Sequence, residues 1–152
     1  MSEVSIYADG SCLPSNPGPG GWASILVSGD YQKELTGCAY GKTTNQRMDL
    51  TAVIEGLAAL KKPCLVTVYT ESQYVQRGMT EWMEGWQKAG RIQNGNLTNS
   101  DLWIRLLEAS GPHEVTWVWV SDKAKNELNT KVDLLAHAAA RRARDEATHG
   151  TN

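Results

Sequence analysis

Asp9, Asp49, Glu71 and Asp133 are the residues whose type and spacing are suited to shared chemistry. Asp9 and Glu71 each close a strand-like run, while Asp49 and Asp133 each fall within about the first two turns of a helix-like run, flanking its apolar face. In a sheet flanked by helices those places can meet at one rim, because ligand sites in α/β sheets favour the carboxyl ends of strands. Like charges gathered there repel and raise one another's pKa unless a cation sits among them. Oxygen donors without clustered His or Cys favour a hard ion, Mg2+ or Mn2+, and helix N-termini tolerate the negative charge. Two such ions about 4 Å apart can activate a water on one side of a phosphodiester and stabilise the leaving oxygen on the other. Hydrolysis of that kind needs no cysteine, histidine or serine nucleophile.

The elements that must carry these residues can be read from period and punctuation. Val4, Ile6 and Ala8 alternate with Ser5 and Tyr7 in a strand that Asp9-Gly10 is expected to end in a turn. After the Pro- and Gly-dense PSNPGPGG, Trp22 to Val27 and Tyr31 to Tyr40 read as two more strands joined through Ser28-Gly29-Asp30, an antiparallel meander. From Thr43 the period turns helical, with Leu50, Val53, Leu57 and Leu60 following a start signal at Thr44 and Asn45, and the helix should stop by Pro63. Leu65 to Thr70 reads as a strand with Glu71 at its C-terminal end, before a short helical stretch ending near Gly78. Thr80 is expected to cap a helix carrying Trp82 and Trp86 one turn apart, followed by the polar loop GRIQNGNLTNS. Asp101 to Ala109 reads as helix, Glu114 to Val120 as strand, and a polar loop leads to a helix with Val132, Leu135, Ala136 and Ala139 on one face. This order predicts an α/β fold with a five-stranded mixed sheet, three antiparallel strands plus two parallel, flanked by helices.

A chain of 152 residues suits one domain, and neither a repeat nor a linker divides it. Residues 1–144 are assigned to that domain and 145–152 to a polar, flexible C-terminal tail. The net charge of -2 and a pI near 5.9 lack the footprint of a strongly basic nucleic-acid binder, whose pI exceeds roughly 9. Cys12, Cys38 and Cys64 are odd in number and lack C-x-x-C spacing, which argues against a disulfide framework or a zinc site and favours a reducing compartment. The opening residues lack a basic patch followed by an apolar run, and no apolar stretch nears the roughly 18 residues that span a bilayer. A cytoplasmic protein without membrane contact is expected.

Several segments carry a further reading: DGSCLPSNPGPGGWA, TTNQRMDL, TESQYV, the pair Trp82 and Trp86, DLW at Asp101 to Trp103, and WVWV followed by VDLLAHAAA. In this order, from about Val4 to about Ala140, the chain resembles bacterial type 1 ribonuclease H. The resemblance implies a ribonuclease H-like fold and a metal-dependent endonuclease that cuts the RNA strand of an RNA/DNA hybrid. Asp9, Asp49, Glu71 and Asp133 then occupy the family's catalytic positions and hold two Mg2+ or Mn2+ ions. The family's usual order there is Asp, Glu, Asp, Asp, so the middle two are exchanged here, the second side chain shorter by a methylene and the third longer. The resemblance also implies groove contacts with the hybrid for Cys12, Asn16, Asn45 and Gln73, and a DNA-strand phosphate for Thr44. Trp82 and Trp86, with Lys88 and Arg91 beside them for phosphate, are assigned to a channel wall against deoxyribose. Where the family commonly carries a mobile histidine, this chain has SDKAKNELN, and Lys123 aligns there. That lysine is suited to holding phosphate rather than to the histidine's part in proton transfer. GRIQNGNLTNS has a single arginine where bacterial members often carry a basic loop, which implies weaker and less salt-sensitive hybrid binding. No obligate protein partner is evident, and a monomer is expected.

Singly, each feature has a simpler meaning. Asp9-Gly10 is more often a turn, GPGG a hairpin connection, and paired tryptophans on a helix are usually core. Trp103, Trp117 and Trp119 read mainly as packing, His137 as structural or exposed, and RRAR at Arg141 to Arg144 as a solvated helix end. The exchanged acids and the missing histidine keep two functional readings open. One is an active hybrid-specific endonuclease; the other is a catalytically weakened domain that binds hybrid or a protein partner.

Overall fold

Residue period sorts this chain into a sheet with a helical layer on each side. The computed structural model describes residues 1–149. Its strands are β1 (Ser2–Cys12), β2 (Gly18–Ser28), β3 (Tyr31–Thr43), β4 (Cys64–Thr70) and β5 (Glu114–Trp119). Its helices are α1 (Asn45–Ala58), α2 (Gln73–Arg77), α3 (Met83–Lys88), α4 (Ser100–Ser110) and α5 (Glu127–His149). The five strands form one sheet in the order β3-β2-β1-β4-β5. β1, β2 and β3 pair antiparallel, β4 joins β1 in parallel, and β5 joins β4 in parallel. This is the mixed sheet of three antiparallel and two parallel strands that the order of elements predicts. Parallel neighbours need long crossovers, and the helices between β3 and β5 supply them.

Alternation along β1 divides the core. Val4, Ile6 and Ala8 pack with Leu50, Val53 and Leu57 of α1 and with Leu102, Trp103 and Leu106 of α4. Tyr7 faces the other way, with Ala23 and Ile25 of β2, beneath Val132 and Ala136 of α5. Tyr7 and Tyr69 are partners in the parallel ladder, and their rings stack 4.7 Å apart at 10°. The last rung of that ladder is Ala8 with Thr70. Asp9 and Glu71 each come one residue later, so period 2 sets both on the α5 side of the same rim.

Several elements differ from the sequence reading. β1 does not end at Asp9-Gly10: Asp9 pairs with Ala23 and Gly10 with Trp22 of β2. β2 begins at Gly18, ahead of the expected Trp22, with a register shift between Gly18 and Gly20. Its glycines allow a close crossing, for a Cβ on Gly21 would lie 2.2 Å from the backbone nitrogen of Ala140 in α5. Thr80 is not a cap. Its Oγ1 donates to the Gln76 carbonyl at 2.8 Å, within a π turn (Gly78–Trp82) that links α2 to α3. α5 continues through residues 145–149, so these are helical; residues 150–152 of the assigned tail lie outside the described residues. Trp103 is fully buried and Trp117 packs on the core, whereas Trp119, on the edge strand, is 42% exposed. Among the described residues no helix is long and apolar enough to cross a membrane.

Candidate active site

The rim at the ends of β1 and β4 gathers the acids. Asp9, Glu71 and Asp133 each offer a carboxylate oxygen, and these oxygens lie within 4.8 Å of one another. Asp133 arrives from α5, whose start is fixed by reciprocal bonds. Asn126 Oδ1 accepts from the N–H groups of Leu128 and Asn129, each at 3.0 Å, and Asn129 Oδ1 accepts from the Asn126 N–H at 3.1 Å. Glu71 is steadied by Trp119, whose Nε1 donates to its backbone carbonyl at 3.0 Å.

Asp49 comes from α1 on the opposite face of the sheet, and its Oδ1 accepts from the Gly10 N–H at 2.8 Å. That contact explains the glycine. A Cβ at position 10 would lie 2.4 Å from the Met48 carbonyl carbon and 2.5 Å from the Asp49 nitrogen. Gly10 therefore marks where helix and strand backbones touch, rather than a turn. Gly10→Ala is expected to lower stability by about 1–3 kcal/mol, because backbone must move. It should also displace Asp49, which urea unfolding and Mn2+ titration of the variant would register together.

Gathering these acids perturbs their protonation. Burial first, then the charge of Asp49, and then a hydrogen bond and charge from Asp133, push Asp9 up to about 9. Burial raises Asp49 to about 7 against the opposing Gly10 N–H, with the charges of Glu71 and Asp133 adding to the rise. Glu71 also rises to about 7, through burial and its hydrogen bond with Asp133, partly offset by Lys125. For Asp133, burial works upward but hydrogen bonds from Glu71, Lys125 and Asp9 outweigh it and hold the group below its ordinary range.

Asp133 Oδ1 is buried and accepts no hydrogen bond. An acceptor left in that state costs about 1–3 kcal/mol, a cost that a cation beside it would remove. The donor set is all oxygen and fits a hard divalent ion.

Lys123, which the resemblance aligns with the family's loop histidine, is exposed and pairs with no carboxylate among the described residues. Lys125, two residues on, reaches the acids. Its Nζ lies 2.7 Å from Glu71 Oε1 and 2.8 Å from Asp133 Oδ2, and these bonds raise the lysine above its ordinary range. Lys123 sits in a tight helical turn (Asp122–Ala124), whereas Lys125 follows it in extended backbone, so the two side chains leave the loop differently. The spacing of the two lysines carries no signal of that change.

The residues assigned to the hybrid fall into two groups. In the first, the Asn45 N–H donates to Asn16 Oδ1 at 3.0 Å, tying the β1–β2 connection to the start of α1. Thr44 caps α1 by accepting from the Arg47 N–H at 3.1 Å. Gln73, at the first position of α2, is exposed, whereas Cys12 is buried.

In the second group, Trp82 and Trp86 are half-buried with centroids 5.7 Å apart. Behind them stand Tyr74, 6.3 Å from Trp82, and Trp103, 5.2 Å from Trp86. Trp103 Nε1 donates to the Tyr74 hydroxyl at 3.1 Å. The pair is thus the outer edge of an aromatic cluster, both packed and partly accessible. The supports, Tyr74 and Trp103, lie on different elements, so no spacing in the sequence links them to the pair. Lys88 and Arg91 are exposed, and Lys88 pairs with Glu84 at 2.9 Å.

Comparisons with known proteins agree with this arrangement. The family model described as RNase H matches residues 1–141. Ribonuclease H of Cupriavidus metallidurans is 50% identical over 139 residues, covering 90% of this chain and 94% of that protein. Ribonuclease H of Ralstonia nicotianae is 47% identical over 152 residues, covering 99% of each. Among solved structures, LC9-RNase H1, a type 1 RNase H with the type 2 active-site motif, is similar with a TM-score of 0.83 and 29% identity. That match covers 94% of this chain and 74% of the other. With Asp9, Glu71 and Asp133 meeting at the rim of a five-stranded mixed sheet and near-full-length relatives of one name, this chain belongs to the ribonuclease H family.

Proposed function

We propose that the chain is an endonuclease that hydrolyses the RNA strand of RNA/DNA hybrids, with Asp9, Asp49, Glu71 and Asp133 holding two divalent ions, Mg2+ or Mn2+. The observation that carries this reading is the meeting of Asp9, Glu71 and Asp133 around a buried Asp133 oxygen that has no partner. When bound, such ions supply a water of lowered pKa and charge stabilisation for the leaving oxygen. The chain's own part is to hold the acids in place from both faces of the sheet, through Gly10, Trp119 and the Asn126–Asn129 cap.

Telling RNA from DNA needs contact with the 2′-OH across a shallow minor groove, a task suited to short polar side chains such as Asn16, Asn45 and Gln73. Cys12 is assigned to that groove and Thr44 to a DNA-strand phosphate, with Trp82 and Trp86 forming a wall for deoxyribose. Lys88 and Arg91 are placed as phosphate contacts. Replacing either with Gln should weaken hybrid binding and flatten the dependence of log K on log salt by about 0.9 for each phosphate no longer neutralised. A hybrid titration at several salt concentrations measures this, and an unchanged slope removes that residue from the interface. The reading also assigns residues 1–144 to one domain that works as a monomer in the cytoplasm, where Cys12, Cys38 and Cys64 remain thiols.

The test is to incubate the protein with labelled RNA/DNA hybrid, duplex RNA and duplex DNA, with Mg2+, with Mn2+ and with chelator. RNA-strand cleavage confined to the hybrid and abolished by chelator is expected. One observation favours the second reading, a hybrid-binding domain of weakened activity: Lys125 already bridges Glu71 and Asp133. Hybrid binding without cleavage under every metal condition, undiminished by Asp9→Asn, would decide for it.

A further inference from the structure

We propose that Lys125 is a tethered competitor for the divalent ion, an ammonium group seated between Glu71 and Asp133 that must leave before an ion can take both carboxylates. The inference rests on the metal-binding role proposed above. Lys125 Nζ contacts Glu71 Oε1 at 2.7 Å, Asp133 Oδ2 at 2.8 Å and Asp122 Oδ1 at 3.4 Å. An ammonium has three donors and no acceptor; its two short contacts go to Glu71 and Asp133, with Asp122 farther out. Two of the three acids that converge within 4.8 Å are therefore already bridged by a cation belonging to the chain.

The oxygens are divided in a way that marks the ammonium as a stand-in. Lys125 takes Oδ2 of Asp133 and leaves the buried Oδ1 with no partner. A permanent structural ion pair is expected to satisfy the buried oxygens of its acid. Here the innermost acceptor is left for another cation.

The loop also provides for departure. The Lys125 side chain is 27% exposed, and the Asp122 carboxylate it touches is 91% exposed, so the ammonium has an acidic partner outside the site. Lys123, two residues earlier, has the same charge but no ion pair among the described residues. It serves as an internal control.

Apparent affinity falls by the fraction of molecules ready to bind, so an ammonium that fills the pair about nine-tenths of the time weakens the ion roughly tenfold. The experiment titrates Mn2+ into wild type, Lys125→Met, Lys125→Gln and Lys123→Met without nucleic acid, reading free Mn2+ by electron paramagnetic resonance. Both Lys125 variants should bind roughly tenfold more tightly, while Lys123→Met, removing only a screened surface charge, should gain less than about twofold. In wild type, acylation of the Lys125 amine by acetic anhydride, followed by mass spectrometry, should rise on saturation with Mg2+.

Equal gains in Lys123→Met and the Lys125 variants reduce the effect to overall charge and overturn the competitor. Unchanged or weaker binding in the Lys125 variants overturns it as well, as does a Lys125 amine whose acylation ignores Mg2+. Failure of every protein to bind Mn2+ overturns the metal-binding reading itself, and this inference with it.

Discussion

Replacing Asp9 with asparagine is expected to cut hybrid cleavage by at least ~10³-fold, about 4 kcal/mol of barrier, while making the metal-free protein more resistant to heat. The two effects share one cause. Asp9 is half-buried beside Asp49, Glu71 and Asp133, so its ionised form is disfavoured and its pKa rises to about 9. A carboxyl group raised on folding contributes stability that is fully present below its unfolded pKa, roughly 4, and is lost as pH climbs through the folded value. Asp49 and Glu71, each raised to about 7, act in the same sense over a narrower range. Asp133, held below its ordinary value, acts oppositely and only in acid.

The chelated protein should therefore lose thermal stability steadily between about pH 4 and pH 9, and a divalent ion should restore it. In the Asp9→Asn protein the amide would still be able to donate to Asp133 but would never ionise. That variant in chelator should accordingly gain about 1–2 kcal/mol at pH 8, or roughly 3–6 °C at this size. Calorimetry across that range, with and without Mg2+, measures the curve. A variant that melts lower than wild type in chelator at pH 8 would refute the link between the buried Asp9 charge and stability.

The second large effect concerns the exchanged acids. Glu71→Asp and Asp49→Glu are each expected to lower cleavage by about 10²-fold, since a methylene moves a carboxylate by more than about 0.5 Å and a misplacement of about 1 Å costs on that order. The shorter Asp49 stops at the Gly10 N–H, and the longer Glu71 joins Asp9 and Asp133. Shortening Glu71 withdraws it from that trio, and lengthening Asp49 drives it past its donor. The two changes have opposite sign, and residues of one cluster do not add. Together they should recover most of the activity, because the double variant has the order usual for the family. Values of kcat/KM for the four proteins of this cycle, in Mg2+ and in Mn2+, decide the matter. Losses that simply multiply, to about 10⁴-fold, would mean that the two acids act independently.

Much of this arrangement is legible in the residues alone. Alternation at Val4, Ile6 and Ala8 and helical period at Leu50, Val53 and Leu57 define the layers, and the acids at the ends of those runs define the site. What period cannot reveal depends on contacts between distant segments. Asp9-Gly10 has the composition of a turn, yet the glycine serves an approach by Met48 and Asp49 across 39 residues of chain. Thr80 has the composition of a cap, but the helical path continues through a π turn and uses its hydroxyl inward. Lys125 is hidden because an irregular loop has no period by which to orient a side chain.

The ladder partners Tyr7 and Tyr69 stack on one face of the sheet, while Asp49 reaches the rim from the other. Any ion gripped by all the acids would therefore rivet both layers through the edge of the sheet. Such a rivet cannot survive the peeling of either helix, so its occupancy would report cooperative integrity of the whole domain rather than of a local patch. Its stabilising effect would grow with the logarithm of ion concentration, making the melting point of this protein a gauge of free divalent metal.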